Sequence, residues 1–520
     1  MKKIKINIQQ KYVLILFSII TVILLNLIFY FGLFRFDFTK NKIYSLSKPS
    51  KKLVSSLEEP VHVRAIFSKV LPEQFKFIRL YVEDLLKEYR QTSRGKIKFE
   101  FIDPLQPNAK LSPQEVQSMG ILPIEFSVVE KDKFEVKKGY MGVALLYKDK
   151  KEVIPVISNI EMLEYDITSA IKRLTMKQKK IVGVVNVHRC DTLSAEDYTE
   201  FKEQIQKLYE IKQVDISSTS LNQTDALLVI SPKENFDDKE LFFLDQYILS
   251  GKPCAFLIDR YNINIQSFWA TKIYSNIFDF ISNYGVEFFD EGLVADYQCQ
   301  KVSLRTQQGF FIMENIVDYP FMPIITALNK EHPLTKNLSQ VVLPFVSPIK
   351  IKPNLKDISY TILMETSKYS FLKKDIFSIN PLTIDFRMDK SAQKGPFIVG
   401  VELKGKFTSY FSDDEKFNKL QINVAERLKE SKTDSRILIF SSGFFTRREF
   451  TLLGNIIDYL LQEYELVSIR SKKVVPSAMK AVPDIVKILY RYFIMFFPPT
   501  VVIILGILRW YFRKTKPIIL

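Results

Sequence analysis

Two long runs of apolar residues lie near the two ends of the chain, and neither contains a charged side chain. Residues 12–34, YVLILFSIITVILLNLIFYFGLF, are long enough to cross about 30 Å of hydrocarbon as an α-helix. Residues 492–508, YFIMFFPPTVVIILGIL, are shorter and contain two adjacent prolines, which predict a kinked or broken first turn. The pattern therefore predicts two transmembrane helices.

Each apolar run has a competing interpretation. A cleaved signal peptide would have an apolar region of about 7 to 15 residues before a small-residue cleavage site, and residues 31–40, FGLFRFDFTK, contain no such site. A buried core helix is the alternative for residues 492–508. The two prolines and the basic tail behind that run favour the membrane instead.

Basic residues flank both apolar runs on their outer sides, with no acidic residue among them. They are Lys2, Lys3, Lys5 and Lys11 before the first run and Arg509, Arg513, Lys514 and Lys516 after the second. Because positively charged flanks stay in the cytoplasm, we expect both termini to be cytoplasmic and the bulk of the chain to lie outside the cytoplasm. These residues carry half of the net charge of +16, so no nucleic-acid partner is needed to explain it.

Between the two runs, the first 120 or so residues alternate between strand and helix patterns. Period-2 alternation predicts strands at 61–67, 96–102, 124–130, 142–147 and 152–156, and apolar residues at helical spacing predict helices at 51–57 and 73–90. This order, with Pro123 just before the third strand, resembles a thioredoxin-like fold. A redox member would have CxxC after the first strand, where this chain has residues 68–71, SKVL, so we expect a binding or spacer domain without thiol chemistry.

The next segment has the alternation of a doubly wound parallel sheet of the Rossmann or amidotransferase type. Strands are predicted at 180–187, 211–216, 226–230, 254–258 and 436–441, and helices at 161–174, 195–209, 237–249 and 449–462. The fold class is therefore α/β. The expected divisions are 1–36 (cytoplasmic tail and first membrane helix), 37–158 (thioredoxin-like domain), 159–290 (first part of the doubly wound domain), 291–430 (a mixed insertion packed on the sheet), 431–472 (its last part) and 473–520 (linker, second membrane helix and basic tail).

The composition supplies little for catalysis. The 520 residues include three cysteines and three histidines, and none of the cysteines belongs to a CxxC or Cys/His pair. Cys254 begins a predicted strand, far from where an amidotransferase nucleophile would lie, and His332 lies in a Pro-containing loop that favours a structural role. We expect no catalytic residue, no cofactor and no metal.

One set of residues remains as a candidate for binding, and one motif fails as a candidate. In a doubly wound sheet, ligands bind beyond the carboxyl ends of the strands, and polar residues mark four of those ends here. They are His188-Arg189, Ser231-Pro232, Asp259-Arg260 and Ser441-Ser442-Gly443, of which His188, Arg189, Asp259 and Arg260 form the candidate ligand or partner surface. The alternative is that polar residues there cap the helices that follow. Residues 400–407, GVELKGKF, approach the phosphate-binding pattern, but a phenylalanine replaces the Mg²⁺-binding hydroxyl and the segment predicts a strand and a turn.

Several segments, in order along nearly the whole chain, resemble the GldG family, the auxiliary membrane component of gliding-motility-type ABC transporters. They are FDFTKNKIYSLSKPSKKLVSSLEEPVHVRAIFS, LLKEYRQTSRGKIKFEFIDP, EYDITSAIKRLT, LDQYILSGKPCAFLIDR, HPLTKNLSQVVLPF, GVELKGKFTSYF and LLGNIIDYLLQEYELVSIRSK. The resemblance implies a protein of the bacterial cytoplasmic (inner) membrane that works with a separate ABC permease subunit and a cytoplasmic ATPase subunit. Gliding itself is not implied. The chain departs from relatives in residues 443–448, GFFTRR, and 186–191, NVHRCD.

The leading hypothesis is therefore a non-enzymatic, membrane-anchored auxiliary subunit of an ABC transporter, whose external domain binds substrate or partners, with envelope proteins or glycans as candidates. A membrane-tethered enzyme of amidotransferase or hydrolase type, using His188, Asp259 and a nearby nucleophile, is the alternative from another class. A purely structural tether is a third. The sequence does not distinguish the transported molecule, its direction or the oligomeric state.

Overall fold

The computed structural model describes residues 45–463 with short gaps, together with single residues within 17–21 and 491–507. The gaps are 70, 131–132, 159, 161, 177, 291, 309–310, 354–356, 375–377, 388–391 and 423–426. The chain divides into two compact units, residues 1–473 and 474–520. The predicted transmembrane segments, 12–34 and 492–508, lie outside the described residues except for those single positions. Within the described part of the chain, no helix combines the length and the apolar character needed to cross a membrane.

The first sheet has four strands in the order β2-β1-β5-β6. Strands β1 and β2 are parallel, whereas β5 runs antiparallel to both β1 and β6. The elements of this part are α1 (Lys48–Ser55), β1 (Val61–Phe67), α2 (Glu73–Thr92), β2 (Ile97–Ile102), α3 (Pro113–Ser118), β3 (Ile124–Glu130), β4 (Lys133–Gly139), β5 (Met141–Tyr147), β6 (Lys150–Ile154) and α4 (Leu163–Thr175).

Alternating side chains along β1 fill two cores. Val63 and Ala65 pack in the cluster beneath α2 and α4, whereas Ile66 faces the smaller cluster under α3. The first helix begins at Lys48 because Ser47 caps it, and Ser47 Oγ accepts a hydrogen bond from Ser50 N. The buried carboxylate of Glu164 in α4 also accepts from Ser47 N, which ties the start of the described chain to this core.

The third strand of this sheet differs from the one that we expected after Pro123. Strand β3 pairs with β4 in a separate two-stranded sheet, and β5 takes the place beside β1. The reason is burial, since residues 141–145 of β5 are buried on both faces and suit an interior strand. Residues 124–130, IEFSVVE, carry a glutamate at the second and last positions.

The second sheet contains five parallel strands in the order β8-β7-β9-β10-β23. Helices cover both faces, because α5 and α10 contribute to one core cluster and α7 and α8 to the other. The elements are β7 (Ile181–Val185), α5 (Thr199–Gln206), β8 (Glu210–Val214), α6 (Ser218–Asn222), β9 (Ala226–Ile230), α7 (Asp238–Leu249), β10 (Cys254–Leu257), α8 (Ile277–Asn283), β23 (Ser435–Phe440) and α10 (Phe450–Leu460).

Some strands of residues 291–430, the predicted insertion, join the second sheet directly. Strand β22 (Ile398–Gly405) runs antiparallel to β23, and β19 (Ile349–Ile351) pairs with β22. Strand β13 (Val286–Phe288), which precedes this segment, pairs with β19 at the outer end. Residues 399–403 of β22 are all buried, so both faces of this strand are covered, as in an interior strand. The sheet is therefore mixed, with an antiparallel extension on a parallel half.

The remaining elements form small sheets and further edges. They are β11 (Tyr261–Asn264), β12 (Trp269–Lys272), β14 (Leu293–Asp296), β15 (Cys299–Gln308), β16 (Phe311–Ile325), β17 (Ala327–Leu328), β18 (Val341–Val342), β20 (Ile358–Glu365), β21 (Ser370–Lys373) and α9 (Asp414–Asn418). The near-phosphate-loop segment 400–407 is a strand and a turn, as the sequence predicts. Gly405 has φ +146°, and a Cβ there would lie 2.1 Å from the Asp357 carbonyl oxygen.

Candidate functional site

Loops from four neighbouring parallel strands meet at one edge of the second sheet. The loops after β7, β9, β10 and β23 enclose a cavity of about 330 Å³, which we call the strand-end pocket. This is where a doubly wound sheet places its ligands. Its polar and charged lining includes Arg189, Asp191, Ser231, Lys233, Asp259 and Arg447.

Asp259 is the buried centre of the strand-end pocket. Its Oδ1 accepts hydrogen bonds from Gly443 N at 2.7 Å and Phe444 N at 3.3 Å, and its Oδ2 accepts from Ser231 Oγ at 2.5 Å. Burial raises the pKa of the Asp259 carboxyl, and these three hydrogen bonds oppose that shift. The Asp259 carboxyl therefore accepts hydrogen bonds from the backbone N–H groups at the amino end of the short 3₁₀ helix Phe444–Arg447. Asp259 follows a neighbouring strand, so this contact is a form of the helix capping that the sequence offers as an alternative.

Close backbone approach explains why a glycine stands at position 443. A Cβ there would lie 2.6 Å from the Leu257 carbonyl oxygen and 2.1 Å from Ser231 Oγ. Ser231 itself has φ +49°, a conformation that costs a non-glycine residue energy and is enriched at functional sites. The end of β9 is therefore held in a strained turn against β10 and β23.

An ion pair closes one side of the pocket. Asp191 Oδ2 accepts from Arg447 Nη2 at 3.0 Å and from the Tyr198 hydroxyl at 3.1 Å. The Tyr198 hydroxyl also lies 2.8 Å from Thr446 Oγ1, so the loop after β7 and the loop after β23 are linked twice. With Asp191 paired in this way, and with Arg189 Nη1 3.9 Å from Glu234 Oε1, Lys233 contributes the excess positive charge of the pocket.

The structure brings two of the four predicted surface residues to this pocket. Asp259 and Arg189 line it, and the Arg189 side chain is largely exposed. His188 Nε2 lies 2.5 Å from Glu240 Oε2, so its imidazole pairs with a carboxylate of α7. Arg260 is buried and forms an ion pair with Asp290, which directs it away from the pocket.

Sequence reasoning missed three of the residues that complete the pocket, Asp191, Lys233 and Arg447. Ser231 also lines the pocket, and the sequence marks it as a polar residue at the end of a predicted strand. The partnership of Arg447 with Asp191 joins residues 256 positions apart and has no local signal.

The enzyme alternative needs a nucleophile that a base activates. Cys190 lines the pocket, but burial raises the pKa of its thiol to about 12, which keeps it protonated at neutral pH. Cys254 opens β10 and is fully buried, and burial raises its pKa as well. Ser231 donates to a buried carboxyl, whereas His188 is held by Glu240, so the geometry does not assemble a Ser-His-Asp triad.

A second buried polar cluster lies beneath the antiparallel half of the sheet. His332 Nε2 is 3.0 Å from Glu402 Oε2 and 3.0 Å from the Tyr459 hydroxyl, which itself donates to Glu402 Oε1 at 2.7 Å. Arg436 Nε lies 2.9 Å from the same Oε1. Burial alone would raise the pKa of Glu402, but the hydrogen bonds from His332 and Tyr459 and the nearby Arg436 charge hold it below the usual value.

Replacing Ser231 with alanine should lower the free energy of unfolding by about 1–2 kcal/mol, because the buried Asp259 carboxyl loses a hydrogen-bond donor. Pulse proteolysis in urea measures this change. Ser194→Ala is the matched control, since that hydroxyl is exposed on the rim of the same pocket and should change stability by less than about 0.5 kcal/mol. Equal effects of the two substitutions would contradict a central role for the Ser231–Asp259 contact.

The fold and the pocket define an α/β protein with a polar cavity at the ends of its parallel strands. In the described part of the chain, no group of three or more His, Cys, Asp or Glu side chains is placed to hold a metal ion. Residues 179–463, more than half of the 520, match the family described as an ABC-type uncharacterized transport system. The chain belongs to this family of ABC transporter auxiliary proteins.

Other comparisons extend over most of the chain. Residues 40–146 match a domain of unknown function. An uncharacterized protein from Borreliella burgdorferi is 25% identical over 504 residues, which cover 93% of this chain and 94% of that protein. A solved structure, the mmIFT52 N-terminal domain, is similar to 54% of this chain and 97% of its own at 10% identity and a TM-score of 0.32. A likeness this weak says nothing about function.

Proposed function

We propose that this protein is a non-catalytic auxiliary subunit of an ABC transporter of the GldG type, whose folded body binds substrate or partner proteins. The observation that carries the proposal is the family match over residues 179–463. An auxiliary component of a transport system associates with the transporter's other subunits. The segment that most resembles a phosphate loop, residues 400–407, lies largely in the strand Ile398–Gly405. This structure supports the proposal that the ATPase is a separate chain.

The proposed location is the bacterial cytoplasmic membrane. Residues 12–34 and 492–508 are the proposed anchors, and the basic residues outside them support cytoplasmic termini. The body between them would then lie on the outer side of the membrane. There it has access to a transported molecule, to the permease and to envelope components.

The proposed domain organisation follows the two sheets. A thioredoxin-like domain without CxxC at residues 37–158 is supported by the β-α-β-α order and by the strand order β2-β1-β5-β6. A doubly wound domain at 159–290 and 431–472 is supported by the five parallel strands with helices on both faces. Residues 291–430 contribute strands to that second domain.

The strand-end pocket supports a binding role for the body. It combines a buried carboxyl, a strained serine and the basic side chain of Lys233, and the cysteine in its lining is kept as a thiol. Such a polar cavity suits recognition of a polar ligand or of a partner loop. Arg189 and Asp259 remain the proposed contact residues from the predicted set, joined by Lys233.

Affinity purification of the intact protein from its native membrane in mild detergent tests this function. We expect mass spectrometry to identify a multi-spanning permease and an ATP-binding subunit in the purified material. Cells that carry the untagged protein provide the control for nonspecific capture. Recovery of the protein alone, or only with envelope enzymes, would contradict the transporter assignment.

A further inference from the structure

A second cavity lies between the first sheet and the helices of the second, away from the strand-end pocket. It has a volume of about 320 Å³ and is walled by the end of β6, one face of α4 and the end of α5. We call it the α4 pocket. Asp166, Ser169 and Arg173 of α4 line it, and their spacing of three and four residues places them on one helix face.

Two polar groups of the α4 pocket lack the partners that buried groups normally have. The Ser169 hydroxyl is fully buried, and within the described residues it has no hydrogen-bond partner. The Asp166 carboxylate, among the same residues, accepts no hydrogen bond and forms no ion pair within 4.0 Å. An unsatisfied hydroxyl and an unsatisfied carboxylate on one face of a helix together suit a ligand that donates hydrogen bonds.

Two basic side chains also line this cavity. Arg173 and Lys207 both line it and both act on Asp166 through the Coulomb interaction. Arg173 Nε lies 2.9 Å from Glu152 Oε2, and the two side chains form an ion pair. Lys207 is exposed at the end of α5. A neighbouring cavity of about 690 Å³ continues from these two residues.

This arrangement discriminates between classes of ligand by charge. A simple anion would be attracted by Arg173 and Lys207 but repelled by Asp166. A simple cation would be attracted by Asp166 but repelled by the two basic side chains. A molecule with an ammonium and a carboxylate satisfies both ends, because its amine donates to Asp166 and Ser169 while its carboxylate faces Arg173 and Lys207. The cavity volume is in the range of small-ligand sites.

We propose that the α4 pocket is a binding site for a small zwitterion, either a free α-amino acid or a short peptide. The site is separate from the strand-end pocket, and the inference does not rest on the transporter function. The two sources share the recognised chemistry, and the probes below distinguish them.

The test is a thermal-unfolding measurement on the full-length protein in detergent at pH 7.5. The probes are L-alanine and the dipeptide L-alanyl-L-alanine, and the comparison compounds are propionate and ethylamine, each of which has only one of the two charges. We expect at least one zwitterion to raise the melting temperature and neither singly charged compound to do so. A larger shift with L-alanine identifies a free amino acid, and a larger shift with the dipeptide identifies a peptide.

Variants connect that shift to the pocket. Asp166→Asn and Lys207→Gln should each weaken binding of the active probe about tenfold or more. Asp197→Asn and Lys202→Gln are the matched controls, because both lie in the same region outside the pocket lining and should bind as the parent does. The absence of a shift with both zwitterions, equal shifts with the singly charged compounds, or unchanged binding in both pocket variants would overturn the proposal.

Discussion

Replacing Glu402 with alanine should lower the free energy of unfolding by about 3–5 kcal/mol, the largest single-residue effect that we expect. The carboxylate is buried and accepts hydrogen bonds from the Tyr459 hydroxyl and, through Nε2, from His332. It also balances the guanidinium of Arg436, whose side chain is only 14% exposed. The substitution removes the Glu402 carboxylate from beside that buried charge, and removing one partner is the costly way to break a buried pair.

Pulse proteolysis in urea measures the loss, and Glu331→Ala is the control. Glu331 is exposed in the same loop as His332, so its replacement should change stability by less than about 0.5 kcal/mol. His332 Nδ1 accepts from Leu334 N, which leaves Nε2 as the nitrogen that carries the proton toward Glu402. If Glu402→Ala costs less than about 1 kcal/mol, the cluster does not hold the sheet to α10.

Asp166→Asn should raise the free energy of unfolding at pH 7.5 by up to about 3 kcal/mol. Burial raises the pKa of Asp166 from 3.8 to about 6, and the Arg173 and Lys207 charges only partly oppose that shift. A carboxyl whose pKa is raised in the folded state lowers the free energy of unfolding when it is ionised, which is a penalty to folding. The penalty is fully present above about pH 6, declines as the pH falls from about 6 to about 4, and is absent below.

The free energy of unfolding, measured at pH 7.5, 6 and 4.5, tests the direction of this pH dependence. The stabilisation by Asp166→Asn should be largest at pH 7.5 and should shrink at each lower pH. Asp197→Asn is again the control, since Asp197 is exposed and its replacement should have little effect at any of these pH values. A destabilised Asp166→Asn protein at pH 7.5, or an effect independent of pH, would contradict the raised pKa.

The two results for Asp166 complement each other. A substitution that stabilises the fold and removes ligand binding is typical of a functional residue, because sites retain unfavourable groups for the sake of their ligands. The proposed zwitterion would relieve the same penalty in the intact protein. If the Asp166→Asn protein is stabilised but still binds the zwitterion, the raised pKa would stand and the proposed role of Asp166 in binding would not.

Much of the architecture could be predicted from local patterns. The strands at 61–67 and 226–230 agree with the structure residue for residue, because alternating or continuous apolar residues between turn residues mark them. The helix predicted at 237–249 begins one residue later, with Asp237 as its cap. Each of these features depends on residues that are near one another in the chain.

Long-range pairing could not be predicted in the same way. Strand β22 resembles any buried strand, and its sequence does not say that it joins β23 in the second sheet. The strand after Pro123 was wrongly expected in the first sheet, since two segments in succession had strand patterns and only burial distinguished them. The contacts of Asp191 with Arg447 and of His332 with Glu402 likewise join distant segments.

Composition and periodicity are local properties, so the amino-acid sequence is enough to predict the α/β alternation, the poor supply of catalytic groups and the two terminal apolar runs. Which polar residues share a cavity depends on the folded chain. Folding pairs His188 with Glu240 and Arg260 with Asp290, and it places Ser231 against Asp259. The physical reason is that a pocket is formed where strand ends and helix faces from distant parts of the chain approach, and that approach depends on how the whole core packs.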